Sequence, residues 1–142
     1  MTANQIKSEF ITLIRQTGER RGFRCQLWFQ GTRRMSNNIL DLSGSIDCLV
    51  YIKVRSERPY RWGITANRLK ELKQSGKEWV TVLLYETPKT GYLLTSNDVN
   101  RYLPIWPLGS DGDYKVGPGS YLQFNRPFDS FNELLSSLPK NV

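Results

Sequence analysis

Histidine is absent from the 142 residues, and cysteine occurs only twice, as Cys25 and Cys48. Without histidine there is no Ser-His-Asp or Cys-His nucleophile system, no imidazole zinc site and no HExxH chemistry. Two cysteines cannot build a tetrathiolate zinc centre or a disulfide framework. Both fall at alternating positions of strand-like runs and read as reduced core thiols, with one disulfide as the other reading. Also missing is any apolar run near the roughly 20 residues of a membrane span. The opening MTANQIKSEF lacks the basic-then-apolar layout of a signal peptide, so a soluble, cytoplasmic protein with no membrane partner is expected. Any catalysis has to come from carboxylates, Lys, Arg, Ser, Thr or Tyr.

What is present is positive charge, and it is uneven. Lys and Arg number 20 against 13 Asp and Glu, a net +7. Residues 1–77 carry 15 basic and 6 acidic side chains, whereas 78–142 carry 5 and 7. In the first half the basic residues alternate with aromatics: Arg24, Trp28, Phe29, Arg33 and Arg34, then Lys53, Arg55, Arg58, Tyr60, Arg61 and Trp62, then Arg68, Lys70, Lys73 and Lys77. That mixture suits phosphate contacts combined with stacking on bases or sugars. A solvated basic surface that serves only solubility is the plainer reading. Trp28 and Trp62 read as packing residues, with base stacking as the alternative.

The length suits one domain spanning residues 1–142. Residues 4–17 place Ile6, Phe10, Leu13 and Ile14 at helical spacing, with Gly18 as a stop. Residues 22–30 alternate Phe23, Cys25, Leu27 and Phe29 against Arg24, Gln26, Trp28 and Gln30, a half-buried strand. A hairpin follows, with strands 39–43 and 45–56 about a tight turn at Gly44. Residues 60–64 look extended, and Thr65 caps a helix with Leu69 and Leu72 inward. WVTVLLYE (79–86) is apolar throughout, as a strand covered on both faces requires. YLLT answers it, Ser96 or Asn97 caps a short helix, and residues 104–127 form a Gly- and Pro-rich arm before a last helix in DSFNELLSSL. This order predicts an α/β sandwich, a mixed β-sheet flanked by helices.

The run from IDCLVYIKVRS through YRWGITANRLKEL into WVTVLLYE and TGYLLTSNDVNRYL resembles the PD-(D/E)XK, or restriction-endonuclease-like, nuclease superfamily, closest to its small resolvase-like and intron-associated members. The likeness covers residues 4–103 and implies that superfamily's single-domain sandwich. It also implies Mg²⁺ held by an acid at the hairpin start, by a (D/E/Q)-x-K triplet on the next strand and often by a helix glutamate. Here that triplet falls on Lys53-Val54-Arg55. The ligand position is a lysine, and the position facing it across the hairpin is near Asn37 or Asn38. Arg55 replaces the catalytic lysine and stays cationic, so it cannot serve as a base. Glu9 is the one expected acid present, either as a relic ligand or as a solvent-facing charge. Asp47 shares a strand face with Lys53 but lies about 20 Å away at roughly 3.3 Å per residue, so one metal cannot bridge them. Asp41 lies close to the turn, and both acids read as turn or rim residues. Asp111 and Asp113 lack the later ligands of a calcium loop and read as a flexible turn.

The resulting expectation is a basic protein with a nuclease-like fold that binds nucleic acid, double-stranded DNA foremost, through Arg33, Arg34, Lys53, Arg55, Arg58, Arg61, Lys70 and Lys73. The metal site is degenerate, no cofactor is needed and no cleavage is expected. Lys53 and Arg55 have an ordinary exposed strand face as their other reading. Two rival functions stand beside this one. The first is an active, divergent Mg²⁺ endonuclease using Glu9 with Asp41 or Asp47. The second is a protein-interaction or regulatory subunit of a nuclease complex, with a homodimer or a protein partner.

Overall fold

Thr2 opens the first helix by a capping box, its hydroxyl accepting from the Gln5 N–H while the Gln5 side chain accepts from the Thr2 N–H. In the computed structural model, which describes residues 1–117 and 126–140, this helix (α1, Ala3–Arg21) buries Ile6, Phe10 and Ile14. It runs past Gly18 and stops at Gly22, whose φ of 83° supplies the left-handed stop. Gly18 serves packing instead: a Cβ there would come within 2.4 Å of the Phe23 carbonyl oxygen, so its bareness lets the next strand start against the helix.

The main sheet has the order β1-β4-β5-β7-β8-β10, built from Phe23–Leu27, Ile39–Gly44, Cys48–Arg55, Trp79–Tyr85, Gly91–Thr95 and Pro127–Phe128. Only β5 and β7 are parallel; every other pairing is antiparallel. The parallel pair is joined by a crossover through β6 (Trp62–Thr65) and α2 (Ala66–Gln74). Period-two alternation sorts β5 into two cores: Cys48, Val50 and Ile52 pack with α1 and α4 (Phe131–Ser137), while Leu49 and Tyr51 pack with α2 and α3 (Ser96–Tyr102). The architecture is therefore α/β, with a mixed sheet and, among the described residues, four helices on its two faces. No helix of the described residues is long and apolar enough to cross a membrane.

Several expectations are corrected. The strand expected over 22–30 ends at Leu27: Trp28 keeps the alternation, entering the α2-side core at 2% exposure, and its carbonyl accepts from the Met35 N–H of the returning chain. The chain then leaves the sheet as a small hairpin, β2 (Phe29–Gln30) and β3 (Arg33–Arg34). Gly44 is the last residue of β4 and not the centre of a tight turn; a Cβ there would lie 2.5 Å from the Gly22 carbonyl oxygen, and the connection to β5 is made by residues 45–47. Thr95, one residue earlier than expected, caps α3 in a second capping box with Asp98. The expected arm contains β9 (Asp113–Val116), antiparallel to β6, so Asp113 is a strand residue; Asp111 lies in the turn before it and accepts from the Asp113 N–H at 3.0 Å and from Lys115 Nζ at 2.6 Å. Residues 118–125 of that arm lie outside the described residues. Both cysteines are free thiols, Cys48 buried and Cys25 half-buried.

Candidate nucleic-acid interface

β5 is longer than β4, and this inequality creates the site. The last pair between them is Ile39 with Tyr51, after which the Ile52 N–H donates to the Asn38 carbonyl at 2.8 Å. Beyond that bond β5 runs on to Arg55 with β7 on one side and an open edge on the other. The start of α1 covers the gap: Lys7 Nζ donates to Asn38 Oδ1 at 3.0 Å. A cleft of about 150 Å³ lies there, lined by Ala3, Asn4, Lys7, Asn38, Lys53 and Val54 among others.

Lys53 is half-buried, with its ammonium 5.9 Å from the centre of the Tyr51 ring, a cation–π contact. Burial holds its pKa below the ordinary lysine value; Asp113 opposes that shift and the Lys7 ammonium adds to it. Asp113 reaches this neighbourhood because β9 pairs with β6 at Thr65, and the Thr65 N–H donates to the Tyr51 hydroxyl at 3.2 Å. Nothing local in the sequence signals that approach, since it depends on pairing between distant segments. The side chains around the cleft are thus the Lys7 ammonium, the amides of Asn4 and Asn38, and Lys53, whose ammonium leans over Tyr51 towards the α2 face; no carboxylate among the described residues lines it. Such a set suits an anion and not a divalent cation, which requires several carboxylate or carbonyl oxygens.

The acidic candidates do not meet. Two residues beyond Lys7, at roughly 100° of rotation per residue, Glu9 comes out on the far side of α1, where it lines a different cavity with Leu13, Pro88 and Lys89. Asp41 lies on the α2 face of β4 opposite Leu49, towards the far end of β5 from Lys53, and pairs with Lys77 at 3.1 Å. Asp47 is exposed in the β4–β5 connection, its N–H donating to the Pro139 carbonyl at 3.1 Å. Among the described residues, no three His, Cys, Asp or Glu side chains are grouped so that they could hold a metal ion.

The basic candidates divide into three groups. Arg33 and Arg34 are exposed on the β2–β3 hairpin. Arg55 is committed internally, its Nε–H donating to the carbonyls of Glu57 and Pro59 at 3.0 Å each and so shaping the loop over residues 56–61. Arg58 and Arg61 are exposed on that loop, with Arg58 lying 5.5 Å from the centre of the Tyr60 ring. Tyr60 in turn packs against Tyr85 with ring centres 4.5 Å apart, which seats the loop on the sheet. Lys70 and Lys73 lie on the outer side of α2, bordering a separate groove with Leu103 and Tyr114. Arg68 holds the base of the hairpin to α2, donating to the Met35 carbonyl at 2.7 Å and pairing with Glu71 at 3.1 Å. Trp28 and Trp62 are both 2% exposed and act in packing, with the Trp62 indole N–H donating to the Leu84 carbonyl at 2.9 Å.

No protein-family model matches the chain, and no curated protein matches it.

Proposed function

We propose that this chain binds nucleic acid, duplex DNA foremost, on a restriction-endonuclease-like sandwich whose metal-dependent cleavage has been lost. The observation that carries the reading is the cleft at the open edge of β5, where Lys7 and Lys53 stand in place of carboxylates. In the resemblance described above, that is the position of the Mg²⁺ ligands. Two ammonium groups there repel a cation and attract a phosphate. A phosphodiester in the cleft would accept from both lysines, and Lys53 is well suited to it because a half-buried ammonium has little hydration to give up. Exposed Arg33 and Arg34 on one flank and Arg58 and Arg61 on the other would contact neighbouring phosphates, fixing register without reading sequence.

The test is fluorescence-anisotropy binding to duplex and single-stranded DNA across a salt series, with the same mixtures incubated in Mg²⁺ or Mn²⁺ and run on a gel. Duplex binding should weaken with salt at a log–log slope of about −0.9 per phosphate contact, with no cutting. Affinity indifferent to ionic strength would overturn the reading. Metal-dependent cutting abolished by E9Q, D41N or D47N would replace it with a divergent nuclease, and a stable complex with an acidic protein in the absence of any DNA affinity would replace it with an interaction subunit.

A further inference from the structure

β1 alternates faithfully from Phe23 to Leu27, with Phe23, Cys25 and Leu27 on the α1 side of the sheet. Continued alternation would keep Phe29 on that side. Instead, the chain is pinned one residue earlier: the Trp28 N–H donates to the Ile39 carbonyl at 3.1 Å, and the Trp28 carbonyl accepts from the Met35 N–H at 2.9 Å. With both legs held at Trp28 and Met35, residues 29–34 project as a two-stranded ribbon, in register Phe29 to Arg34 and Gln30 to Arg33. Gly31, at φ 62°, takes the first central position of the two-residue turn, which hairpins fill with glycine.

Phe29 is 47% exposed and is the only exposed aromatic side chain among the described residues. The other exposed large apolar groups, Met1, Ile105 and Leu108, lie outside this ribbon. Opposite the ring stands Arg34, and among the described residues neither Arg33 nor Arg34 has an ion-pair partner. From Arg20 to Asn38 the chain carries Arg20, Arg21, Arg24, Arg33 and Arg34 and no acidic residue at all. An apolar ring is thus displayed at the base of a basic ribbon, beside its anchor at Trp28 and across from Arg34.

We infer that Phe29 is a wedge that enters a step between stacked bases of the bound duplex while Arg33 and Arg34 hold the flanking phosphates. The inference rests on the duplex-binding reading above and specifies how that surface engages its partner. Three features favour a duplex over an acidic protein surface. A two-stranded ribbon fits a groove of B-form DNA. Cross-strand neighbours have Cβ atoms about 5 Å apart, so the Arg34 guanidinium reaches a phosphate beside the step the ring enters. Apolar side chains inserted between base steps are an established way for a groove-binding protein to unstack and kink DNA.

The experiment uses the full chain and a short duplex carrying 2-aminopurine at several steps, read by anisotropy and by 2-aminopurine fluorescence, for the wild type, F29A, F29W and the double variant R33A/R34A. Wild-type binding should raise the fluorescence through unstacking. F29A should bind about tenfold more weakly, lose the fluorescence rise and keep the salt slope, since no charge is removed. F29W should restore both signals, and R33A/R34A should lower the salt slope by about 2. Circular dichroism of F29A should match the wild type, because the ring is exposed.

A wild type that fails to bind duplex DNA overturns the binding reading and the wedge together. A wild type that binds, with F29A equal to it in affinity and in fluorescence, overturns the wedge alone. Self-association in sedimentation that F29A abolishes while DNA binding is untouched also overturns it, and assigns the ribbon to a second copy of the chain.

Discussion

Lys7 Nζ lies 3.0 Å from Asn38 Oδ1, a bond that ties the first turns of α1 to the residue just before β4. It closes the place where β5 runs on past the end of β4 and sets an ammonium at that edge. Lys53 on β5 completes the cleft from the other side.

Lys53→Met separates stability from binding. The thioether keeps the packing beside Tyr51 and removes a half-buried charge, so the variant should be as stable as the wild type or more so near neutral pH. DNA affinity should fall several-fold and the salt slope by about 1. Urea melts and the salt series measure both; a large loss of stability would contradict the burial argument.

The pH dependence at Lys53 has a defined sign. Burial lowers its pKa, so between the folded value and the ordinary lysine value the unfolded chain binds the extra proton. This group's contribution to stability therefore rises with pH across that window, while DNA affinity falls as the ammonium deprotonates. Urea melts at stepped alkaline pH should show the rise in the wild type and its absence in Lys53→Met.

Asp98 predicts a loss of stability in acid, the same sign of pH dependence in a different window. Burial would raise its pKa, yet the Thr95 N–H and hydroxyl and the Arg126 guanidinium, 3.1 Å away, outweigh burial and hold it below the usual carboxylate value. Its stabilisation is present above the unfolded value and lost as pH falls through the folded one. Asp98→Ala removes half of a capping box and should cost about 1–2 kcal/mol at pH 7, shrinking towards zero in strong acid. Thermal melts across an acid series read this directly.

Trp62 should behave as a core residue. Trp62→Ala is expected to cost about 3–5 kcal/mol, as large-to-small changes at buried aromatics do. Trp62→Phe should cost about 1–3 kcal/mol, because the Leu84 carbonyl loses its indole donor. Once binding is corrected for the folded fraction, neither change should alter the salt slope.

The thiols should be slow to react in the native protein. Burial pushes Cys48 up to about 12, with Asp47 adding to the shift, and pushes Cys25 up to about 11 against the opposing Arg15 charge. Only thiolate is nucleophilic, so iodoacetamide at neutral pH should leave Cys48 unmodified until denaturant is added and label Cys25 slowly.

Much of this protein is written in periodicity. The spacing of Ile6, Phe10 and Ile14, the inward Leu69 and Leu72 and the unbroken apolar run of β7 each depend on the chain's near neighbours. A helix or strand that must bury one face, or both, therefore carries its pattern locally. The charge asymmetry and the absence of histidine are likewise properties of the sequence alone, and they restrict the chemistry whatever the fold. The features that define the site are of another kind. Phe29 leaves the sheet because Trp28 is bonded to both Ile39 and Met35 across the fold; Asp113 approaches Lys53 because β9 pairs with a strand far back in the chain; and Glu9 leaves the cleft to Lys7 through the rotation of one helix against one sheet edge. Each is set by pairing and packing between segments distant in sequence, so only the tertiary structure decided them.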